Sequence, residues 1–286
     1  MTESFTCLNC CAHRATKLYA GCPDYYLGTP FKVDYVTCGD CGLVQQSPIP
    51  GDVRLFYRDY PLHKARSGLS AAARRLVLRD LYRGTSDLAA GTVVLDYGCG
   101  NGSYLESLLG RQLELIGLEL DARQAAEVAE RLGVRVYGDP DRLVEDHRGR
   151  VGVLTMHHVL EHVTDLDGAF ARVSALLRPG GEAFIVTPNV SSWEGRIFGR
   201  RWHGLDPPRH ISFPDARVVD HLARRHGMTL RQTRPVAFPS GVAGSVPAVF
   251  VGRFSYPLFL ACLPFGLALS RLVPSGCTAF RVFRDA

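Results

Sequence analysis

The sequence is poor in lysine and in net charge. Only three of its 33 basic residues are lysines, and the formal net charge of the 286-residue chain is +5. A nucleic-acid-binding protein usually carries a denser basic surface, so this balance disfavours nucleic acid as a partner. Repeats and low-complexity tracts are also missing. With 46% hydrophobic and 21% charged residues, the composition excludes a largely disordered chain.

The first residues lack the features of a secretory signal. Residues Met1 to Thr6 have neither a cationic start nor an apolar run. We therefore expect a cytoplasmic protein that can also associate peripherally with the inner face of the membrane. In a reducing compartment the nine cysteines favour metal binding over disulfides.

Two C-x-x-C pairs near the N-terminus supply four candidate ligands for a structural zinc ion: Cys7, Cys10, Cys38 and Cys41. Such pairs can place four thiolates tetrahedrally around zinc, which leaves no open position for catalysis. Gly39 and Gly42 suit sharp turns because glycine tolerates a positive φ. Two other cysteines, Cys11 and Cys22, could replace a ligand, although the equal spacing favours Cys10 over Cys11. The pattern predicts a zinc ribbon.

An apolar strand, a glycine-rich turn and an amphipathic helix begin at Thr92. The turn has the spacing Gly98-x-Gly100-x-Gly102, and the helix after it would present free N–H groups to a ligand. Further strands are predicted over 113–119, 134–137, 151–156, 183–187, 229–238 and 277–283, with helices over 122–132 and 169–177. This alternation predicts an α/β fold with a doubly wound, parallel sheet and a ligand at its carboxyl edge.

The motifs along this sheet resemble those of class I S-adenosylmethionine-dependent methyltransferases. They are Asp96-x-Gly-x-Gly-x-Gly102, Glu119, Asp139 and Leu177-Arg-Pro-Gly-Gly181. The resemblance implies a Rossmann-like, seven-stranded sheet that binds S-adenosylmethionine. It assigns the methionine part of the cofactor to Asp96, Gly98, Gly100 and Gly102. It assigns the ribose hydroxyls to Glu119 and the adenine amino group to Asp139, with His157 also at the cofactor. A dehydrogenase is disfavoured, because the proline-glycine-glycine turn before the fifth strand is not expected there.

Two later stretches, His157-His-Val-Leu-Glu-His162 and the Pro-Arg-His segment ending at His210, resemble a narrower group. It is a bacterial methyltransferase subfamily whose members often carry the cysteine-rich N-terminus. Many of its members act on sugars, polysaccharides or secondary metabolites. We therefore expect methyl transfer to a hydroxyl, favoured over a carbon, of such a small molecule.

The histidine-rich stretches allow three roles. On a helix, His158, Glu161 and His162 would share one face. In the first role, His210 or His158 is a general base for the acceptor hydroxyl. In the second, His158, Glu161, His162 and His210 hold a second divalent metal, with zinc, iron or manganese favoured over magnesium. That role suits a catechol or quinone-type acceptor. In the third, Glu161 and His162 only cap and brace a helix beside the cofactor.

An apolar stretch over 241–275 separates the last two predicted strands. It carries no charge from Phe254 to Ser270, but Pro257 and Pro264 interrupt it, and the uncharged run is shorter than a spanning helix requires. We expect a helical hairpin that contacts a membrane surface, a dimer partner or the acceptor site.

The predicted organisation is a zinc ribbon over 1–50, a helical linker or lid over 51–90, and the cofactor-binding domain over 91–286. Two rivals to the enzyme remain at this stage. One is an RNA-binding zinc-ribbon protein, although the ribbon balances three basic residues with three aspartates between Cys7 and Cys41. The other is a non-catalytic scaffold, which the intact glycine turn disfavours.

Overall fold

The computed structural model describes residues 5–51, 56 and 88–286. The predicted helical linker or lid over 51–90 lies almost wholly outside the described residues. The strands of the described chain are β1 (Ala15–Pro23), β2 (Lys32–Cys38), β3 (Val44–Ser47), β4 (Val93–Tyr97), β5 (Glu114–Leu118), β6 (Arg135–Tyr137), β7 (Val151–His157), β8 (Leu177–Pro188), β9 (Ser212–Phe213), β10 (Met228–Val236) and β11 (Cys277–Arg284). The α-helices are α1 (Ser103–Leu108), α2 (Ala122–Leu132), α3 (Pro140–His147), α4 (Leu166–Leu176), α5 (Trp193–Phe198), α6 (Ala216–Arg225), α7 (Pro239–Val251) and α8 (Tyr256–Leu272).

Seven strands form one twisted sheet in the order β10-β11-β8-β7-β4-β5-β6. The inner pairs are parallel, and β11 runs antiparallel to both of its neighbours. The strand order reverses between β4 and β7, so loops at their carboxyl ends leave a crevice where ligands of such sheets bind. The predicted Rossmann-like, seven-stranded fold is confirmed.

Local sequence signals define the helices that flank this sheet. Asp121 caps α2 by accepting a hydrogen bond from the N–H of Gln124, and Gly133 ends the helix at a φ of 65°. Asp139 caps α3 in the same way, with Pro140 at the first helical position. The main core lies between the sheet and its helices and contains the fully buried side chains of Leu95 and Leu154.

The Pro-Gly-Gly segment departs from the prediction. We expected a tight turn over 179–181 that precedes the fifth strand, but these residues lie within β8. Gly180 has a φ of 70° there. The pairing with β7 also shifts, from Val151 opposite Leu177 to Val153 opposite Glu182. Five positions of β8 therefore lie opposite two of β7, and the extra residues form a bulge at the Pro-Gly-Gly segment.

The first three strands and β9 form a separate four-stranded sheet in the order β1-β2-β3-β9. The strands β1 to β3 follow one another along the chain and pair antiparallel, as expected for a ribbon, whereas β9 comes from much later in the sequence. We call residues 5–47 the N-terminal module.

The apolar insertion forms a helical hairpin of α7 and α8, as predicted. The helices approach closely at Gly266, where an added Cβ would lie 2.5 Å from the carbonyl oxygen of Pro239. The expectation that Pro264 interrupts the segment is wrong, since α8 continues through it. Among the described residues, no helix has the length and apolar character needed to cross a bilayer.

Candidate active site

The glycine turn follows β4 at the carboxyl edge of the sheet. Gly98, Gly100 and Gly102 all have positive φ, at 81°, 51° and 72°. An added Cβ at Gly98 would lie 2.5 Å from Cγ2 of Val159, so only glycine fits there. At Gly100 an added Cβ would meet nothing within 4 Å. The turn therefore exposes main chain to open space, as a close-fitting ligand requires.

Two acidic residues follow the next two strands at the same edge. Glu119 comes directly after β5, and its carboxylate accepts hydrogen bonds from the N–H groups of Gly100 (3.0 Å) and Asp121 (2.9 Å). Asp139 lies after β6, is exposed, and accepts a hydrogen bond from the N–H of Asp141 at 2.9 Å. The topology thus brings the predicted ribose and adenine residues to one edge.

Asp96 and His157 lie deeper at this edge. The Asp96 carboxyl is buried and accepts a hydrogen bond of 2.8 Å from the Thr155 hydroxyl. Burial raises the pKa of Asp96 to about 7, and the nearby charge of Glu119 adds to the effect. His157 Nδ1 lies 3.9 Å from Asp96 Oδ1, and its ring packs edge-on against Tyr104. A buried carboxyl in this state favours a cationic ligand, because a positive charge would stabilise its ionised form.

These groups fit S-adenosylmethionine. Glu119 offers a carboxylate to two hydroxyls, the open glycine turn admits the methionine portion, and Asp96 can face its cationic groups. The order of the strand ends also fits, since β4, β5 and β6 lead in turn to the glycine turn, Glu119 and Asp139.

His158 and Glu161 form a second group, beside the cofactor edge. His158 Nδ1 lies 3.0 Å from Glu161 Oε1, and the Glu161 side chain is fully buried. The predicted helix over 158–162 is wrong. The chain leaves β7 at His157, His158 has a φ of 56°, and only Leu160–His162 forms a single 3₁₀ turn. The N–H of His158 still donates to the carbonyl oxygen of Val186 in β8, so the main chain at His158 continues the pairing of β7 with β8.

His162 and His210 complete this second group. We call His158, Glu161, His162 and His210 together the acceptor-side group. Each ring has Nδ1 against a main-chain carbonyl, at 3.0 Å from Arg209 for His162 and at 2.8 Å from Gly204 for His210. With Nδ1 protonated, the lone pair of each ring is on Nε2. His210 Nε2 lies 4.0 Å from Glu161 Oε1.

Burial and neighbouring charges set the ionisation of this group. Burial lowers the pKa of His210 to about 4, with the neighbouring His162 adding to the effect, so His210 is neutral near pH 7. Burial alone would raise the pKa of Glu161, but the His158 hydrogen bond and the surrounding imidazoles lower it to about 2. The neutral state of His210 leaves His158 as the main partner of the Glu161 carboxylate, so the group contains an ionised acid beside a hydrogen-bonded imidazole.

The four predicted zinc cysteines lie together, with their sulfur atoms within 4.8 Å of one another. Cys7 Sγ is 3.5 Å from Cys41 Sγ, and Cys10 Sγ is 3.6 Å from Cys38 Sγ. Burial raises the pKa of Cys7. Burial also opposes ionisation of Cys38, but the N–H groups of Cys41 and Asp40, together with hydrogen bonds from the Cys7 and Cys10 thiols, lower the pKa of Cys38 to about 7. The cluster is compatible with a tetrahedral metal site.

The two knuckles have matching main-chain geometry. The N–H of Cys11 bonds to the carbonyl of Cys7 at 3.0 Å, and the N–H of Gly42 bonds to that of Cys38 at 3.1 Å. Both residues have positive φ, at 58° for Cys11 and 77° for Gly42, whereas Gly39, which we expected to share this conformation, does not. Cys11 therefore occupies the turn position, and Cys22 lies in a different buried cluster. The four sulfurs that meet are those of the two C-x-x-C pairs.

Sequence inspection missed residues that hold the Pro-Arg-His segment. Arg209 is buried between the carboxylates of Asp24 and Asp206, while Tyr35 and Gln46 contact the carbonyl of His210. The sequence offers only the charges of Asp206 and Arg209, and nothing in it indicates that both are buried. No pattern indicated that the partner of Arg209 lies 185 positions away.

Comparisons with known proteins agree with this geometry. Residues 65–233, more than half of the chain, match the family model described as "Methyltransferase domain". The Ubiquinone biosynthesis O-methyltransferase of Aromatoleum aromaticum is 31% identical over 106 residues, which cover 35% of this chain and 45% of that protein. The protein of the same name from Cupriavidus pinatubonensis is 35% identical over 161 residues, which cover 52% of this chain and 65% of that protein. The chain spans about half the length of the curated relatives it matches.

A solved structure shares the fold over most of the chain. The 1,6-didemethyltoxoflavin-N1-methyltransferase of Burkholderia thailandensis, with 1,6-didemethyltoxoflavin and S-adenosylhomocysteine bound, is 17% identical. It has a TM-score of 0.52 and covers 87% of this chain and 98% of that chain. The matched family model, together with this fold, identifies the chain as a member of the class I S-adenosylmethionine-dependent methyltransferases.

Proposed function

We propose that this protein transfers a methyl group from S-adenosylmethionine to a hydroxyl of a small molecule. The observation that carries the proposal is the side-by-side placement of two groups at one sheet edge. The open glycine turn and Glu119 face the cofactor, and the His158–Glu161 pair lies next to them at the end of β7. When bound, the cofactor supplies an activated methyl group, and its sulfur leaves with the bonding electron pair as a neutral thioether.

In this proposal His158 accepts the proton of the acceptor hydroxyl. Its Nδ1–H donates to the Glu161 carboxylate, which orients the ring and stabilises the imidazolium that forms. Its Nε2 faces only a weak donor in the described chain, the Cys277 thiol at 4.0 Å, which an acceptor hydroxyl can displace. The 31% exposure of the His158 side chain allows an acceptor to reach it, whereas the more buried His210 suits a supporting role.

We propose an aromatic hydroxyl as the first acceptor class, ahead of the sugar, glycan or secondary-metabolite hydroxyls that the motif resemblance suggests. The support comes from relatives named as ubiquinone biosynthesis O-methyltransferases, although the aligned part covers about half of them. A phenol also ionises more readily than a sugar hydroxyl, which suits an imidazole as the base.

Transfer of radiolabelled methyl from S-adenosylmethionine tests this function. Catechol-type phenols, hydroxylated sugars and RNA serve as parallel acceptors, and His158→Gln serves as the variant. We expect label in the phenols and its loss in the variant. Label in sugars alone would return the acceptor to the sugar class, and label in RNA alone would support the RNA-binding alternative. No label in any acceptor, with no binding of the cofactor, would contradict the proposal.

A second candidate is metal-assisted methyl transfer to a catechol or quinone-type acceptor. The observation that favours it is that ligand atoms of Glu161, His162 and His210 lie within 4.8 Å of one another. Two imidazoles and one carboxylate suit zinc, iron or manganese. The buried Glu161 Oε2 also has no hydrogen-bond partner among the described residues, as a cation would require. His158 would then orient the carboxylate rather than bind the metal.

Metal content separates the two metal sites. We also propose that Cys7, Cys10, Cys38 and Cys41 hold a structural zinc ion. Tetrahedral zinc–sulfur bonds of about 2.3 Å put the sulfur atoms roughly 3.8 Å apart, close to the 3.5 and 3.6 Å between the paired sulfurs here. Purified protein exposed to zinc, iron and manganese should retain one zinc equivalent that Cys38→Ser removes. A further equivalent that His210→Gln removes would support the metal-assisted candidate, and its absence would exclude it.

We propose that the α7–α8 hairpin contacts the surface of an anionic membrane. Nine large apolar side chains between Val249 and Val273 are exposed, among them Phe250, Phe265 and Leu272. The only charges from Pro239 to Gly276 are Arg253 and Arg271, with no acidic residue. Lipid phosphates complement such a surface. A second copy of the hairpin would bring only further cations to it.

Co-sedimentation with vesicles tests this surface. Wild type should bind vesicles rich in phosphatidylglycerol, bind neutral vesicles less, and lose binding in the Phe250→Ser/Phe265→Ser double variant. Ile197→Ser, which removes an exposed apolar side chain outside the hairpin, is the matched control. A concentration-dependent dimer that the double variant abolishes, without vesicle binding, would contradict the membrane assignment.

A further inference from the structure

The segment over 206–213, which carries His210, is held by the N-terminal module rather than by the cofactor sheet. We infer that this module is a positioning element for the acceptor-side group and that Asp24, Tyr35 and Gln46 are its positioning residues. The inference rests on the proposed function for its catalytic consequence. It extends that function by giving the predicted zinc ribbon a role in turnover.

The first observation is the pairing of strands. β9 follows His210 almost directly and pairs antiparallel with β3, with Phe213 opposite Val44 and Ser212 opposite Gln45. The N–H of Gln46 also bonds to the carbonyl of Ile211 at 2.8 Å. The main chain after His210 is therefore an edge strand of the module's sheet, and it has to follow that sheet.

The second observation is a set of buried hydrogen bonds on His210 itself. The Tyr35 hydroxyl lies 2.8 Å from the His210 carbonyl oxygen, and the side-chain amide of Gln46 donates to the same oxygen at 2.8 Å. The Gln46 amide also bonds to the carbonyl of Pro208 at 2.9 Å. All of these groups are buried, so the bonds compete little with water.

The third observation is a buried ion pair between the two parts. The Arg209 guanidinium makes two hydrogen bonds to Asp24, at 2.8 and 3.0 Å, and two to Asp206, at 2.6 and 2.9 Å. All three side chains are less than a tenth exposed. Asp24 also accepts hydrogen bonds from the N–H groups of Tyr26 and Leu27, which hold the turn after β1. A planar, two-pronged pair of this kind fixes orientation as well as distance.

The same segment reaches the acceptor-side group at its other face. The N–H of Ile211 bonds to the carbonyl of Glu161 at 2.7 Å, and His162 contacts the carbonyl of Arg209. The residues on either side of His210 thus bond to the module and to the Glu161 turn. A shift of the module relative to the cofactor sheet would therefore change the position of His210 relative to Glu161.

The cysteine cluster connects to this arrangement through β2 and β3. β2 ends at Cys38, and β3 begins three residues after Cys41. If the cysteines hold zinc, its removal should loosen the strand on which β9 pairs. The cofactor turn lies on β4 to β6, outside the module's sheet, so cofactor binding should be spared.

The test compares Asp24→Asn with the matched control Lys17→Met. Lys17 pairs with Asp34 on the surface of the same module, and its side chain is 60% exposed. Three quantities are measured in each full-length protein: kcat for methyl transfer, Kd for S-adenosylmethionine, and the ¹⁵N chemical shifts of the His210 ring, assigned with His210→Gln.

We expect Asp24→Asn to lower kcat roughly 10- to 100-fold, because small misplacements near a reacting group have effects of that size. Kd should change less than about twofold, and the His210 ring shifts should move. Lys17→Met should leave all three unchanged. Tyr35→Phe, which removes only one hydroxyl, covers the case in which Asp24→Asn fails to fold and should produce smaller changes of the same kind.

Two outcomes would overturn the inference. One is unchanged His210 ring shifts in both folded variants. The other is an equal loss of cofactor affinity and kcat, which would mean that the module supports folding in general. If wild type transfers no methyl group to any acceptor, the proposed function fails separately, and the ring shifts still decide whether the module positions His210.

Discussion

The two halves of the active edge are built differently. The proposed cofactor half uses consecutive strands, with Asp96 in β4 and with the glycine turn, Glu119 and Asp139 after β4, β5 and β6. The proposed acceptor half joins His158 and Glu161 to His210, and Arg209 beside His210 pairs with Asp24 from the turn after β1. We therefore expect cofactor binding and turnover to be separable. Changes in one half should alter affinity for S-adenosylmethionine, and changes in the other should alter kcat.

The largest effect should come from the acceptor half. We expect His158→Gln to lower kcat about 10²- to 10⁴-fold, the usual contribution of a general base. Cofactor Kd should not change, because His158 lies outside the glycine turn. His221→Gln, on the exposed surface of α6, is the control. Steady-state kinetics with calorimetry would check both values. Wild-type kcat in His158→Gln would leave His158 only a structural role.

A smaller effect, on cofactor affinity rather than on kcat, is expected in the cofactor half. Glu119→Ala removes a carboxylate able to accept hydrogen bonds from the ribose hydroxyls, and we expect a net loss of about 1.5–3 kcal/mol, the contribution of one hydrogen bond to a charged group. We expect Kd for S-adenosylmethionine to rise about 10- to 100-fold, with kcat at saturation nearly unchanged. Calorimetric titration measures this, with Glu127→Gln on the exposed side of α2 as control. An equal fall in kcat would contradict the separation of the halves.

The buried Asp96 predicts a pH dependence confined to cofactor binding. Its pKa, about 7, is raised mainly by burial, and the cationic ligand favours the ionised carboxylate. Affinity should therefore increase as pH rises through 7 and fall about fivefold between pH 7 and pH 6. Asp96→Asn should bind more weakly and lose this dependence. Titrations at several pH values decide the point. An equally steep profile in the variant would assign the titration to another group.

The smallest effect should come from an ion pair outside both halves. Arg150, just before β7, pairs with Glu114 at the start of β5 at 3.7 Å, and their side chains are 55% and 47% exposed. Because exposed pairs contribute little, Arg150→Met should lower the free energy of unfolding by about 1 kcal/mol or less. Urea denaturation measures this value, and both Kd and kcat should stay at wild-type levels. A change in either would show that the opposite edge of the sheet also influences the active edge.

Much of the cofactor half could be predicted from local patterns. Apolar runs of strand length, glycines in a turn and an acidic residue at each strand end are all set by neighbouring residues. The predicted order of strands and helices is confirmed, and so is the hairpin between the last two strands. The meeting of the two cysteine pairs also follows from their spacing. Local errors occurred where two elements meet, as in the bulge at Gly180 and the missing helix after His157.

The acceptor half could not be predicted in the same way. The left-handed His158 depends on the pairing of β7 with β8, and the pairing of β9 with β3 joins residues far apart in sequence. The contact of Arg209 with Asp24 is of the same kind, because either charge alone would be expected at the surface.

Local sequence is enough to predict the cofactor motifs, the cysteine pairs and the alternation of strands and helices, because turn chemistry and hydrophobic periodicity act over a few residues. The residues that surround His210, and the pairing of β9 with the N-terminal module, are visible only in the folded chain. Those contacts exist because the whole chain buries its apolar surface together, and a buried charge such as Arg209 then requires a partner wherever the fold brings one.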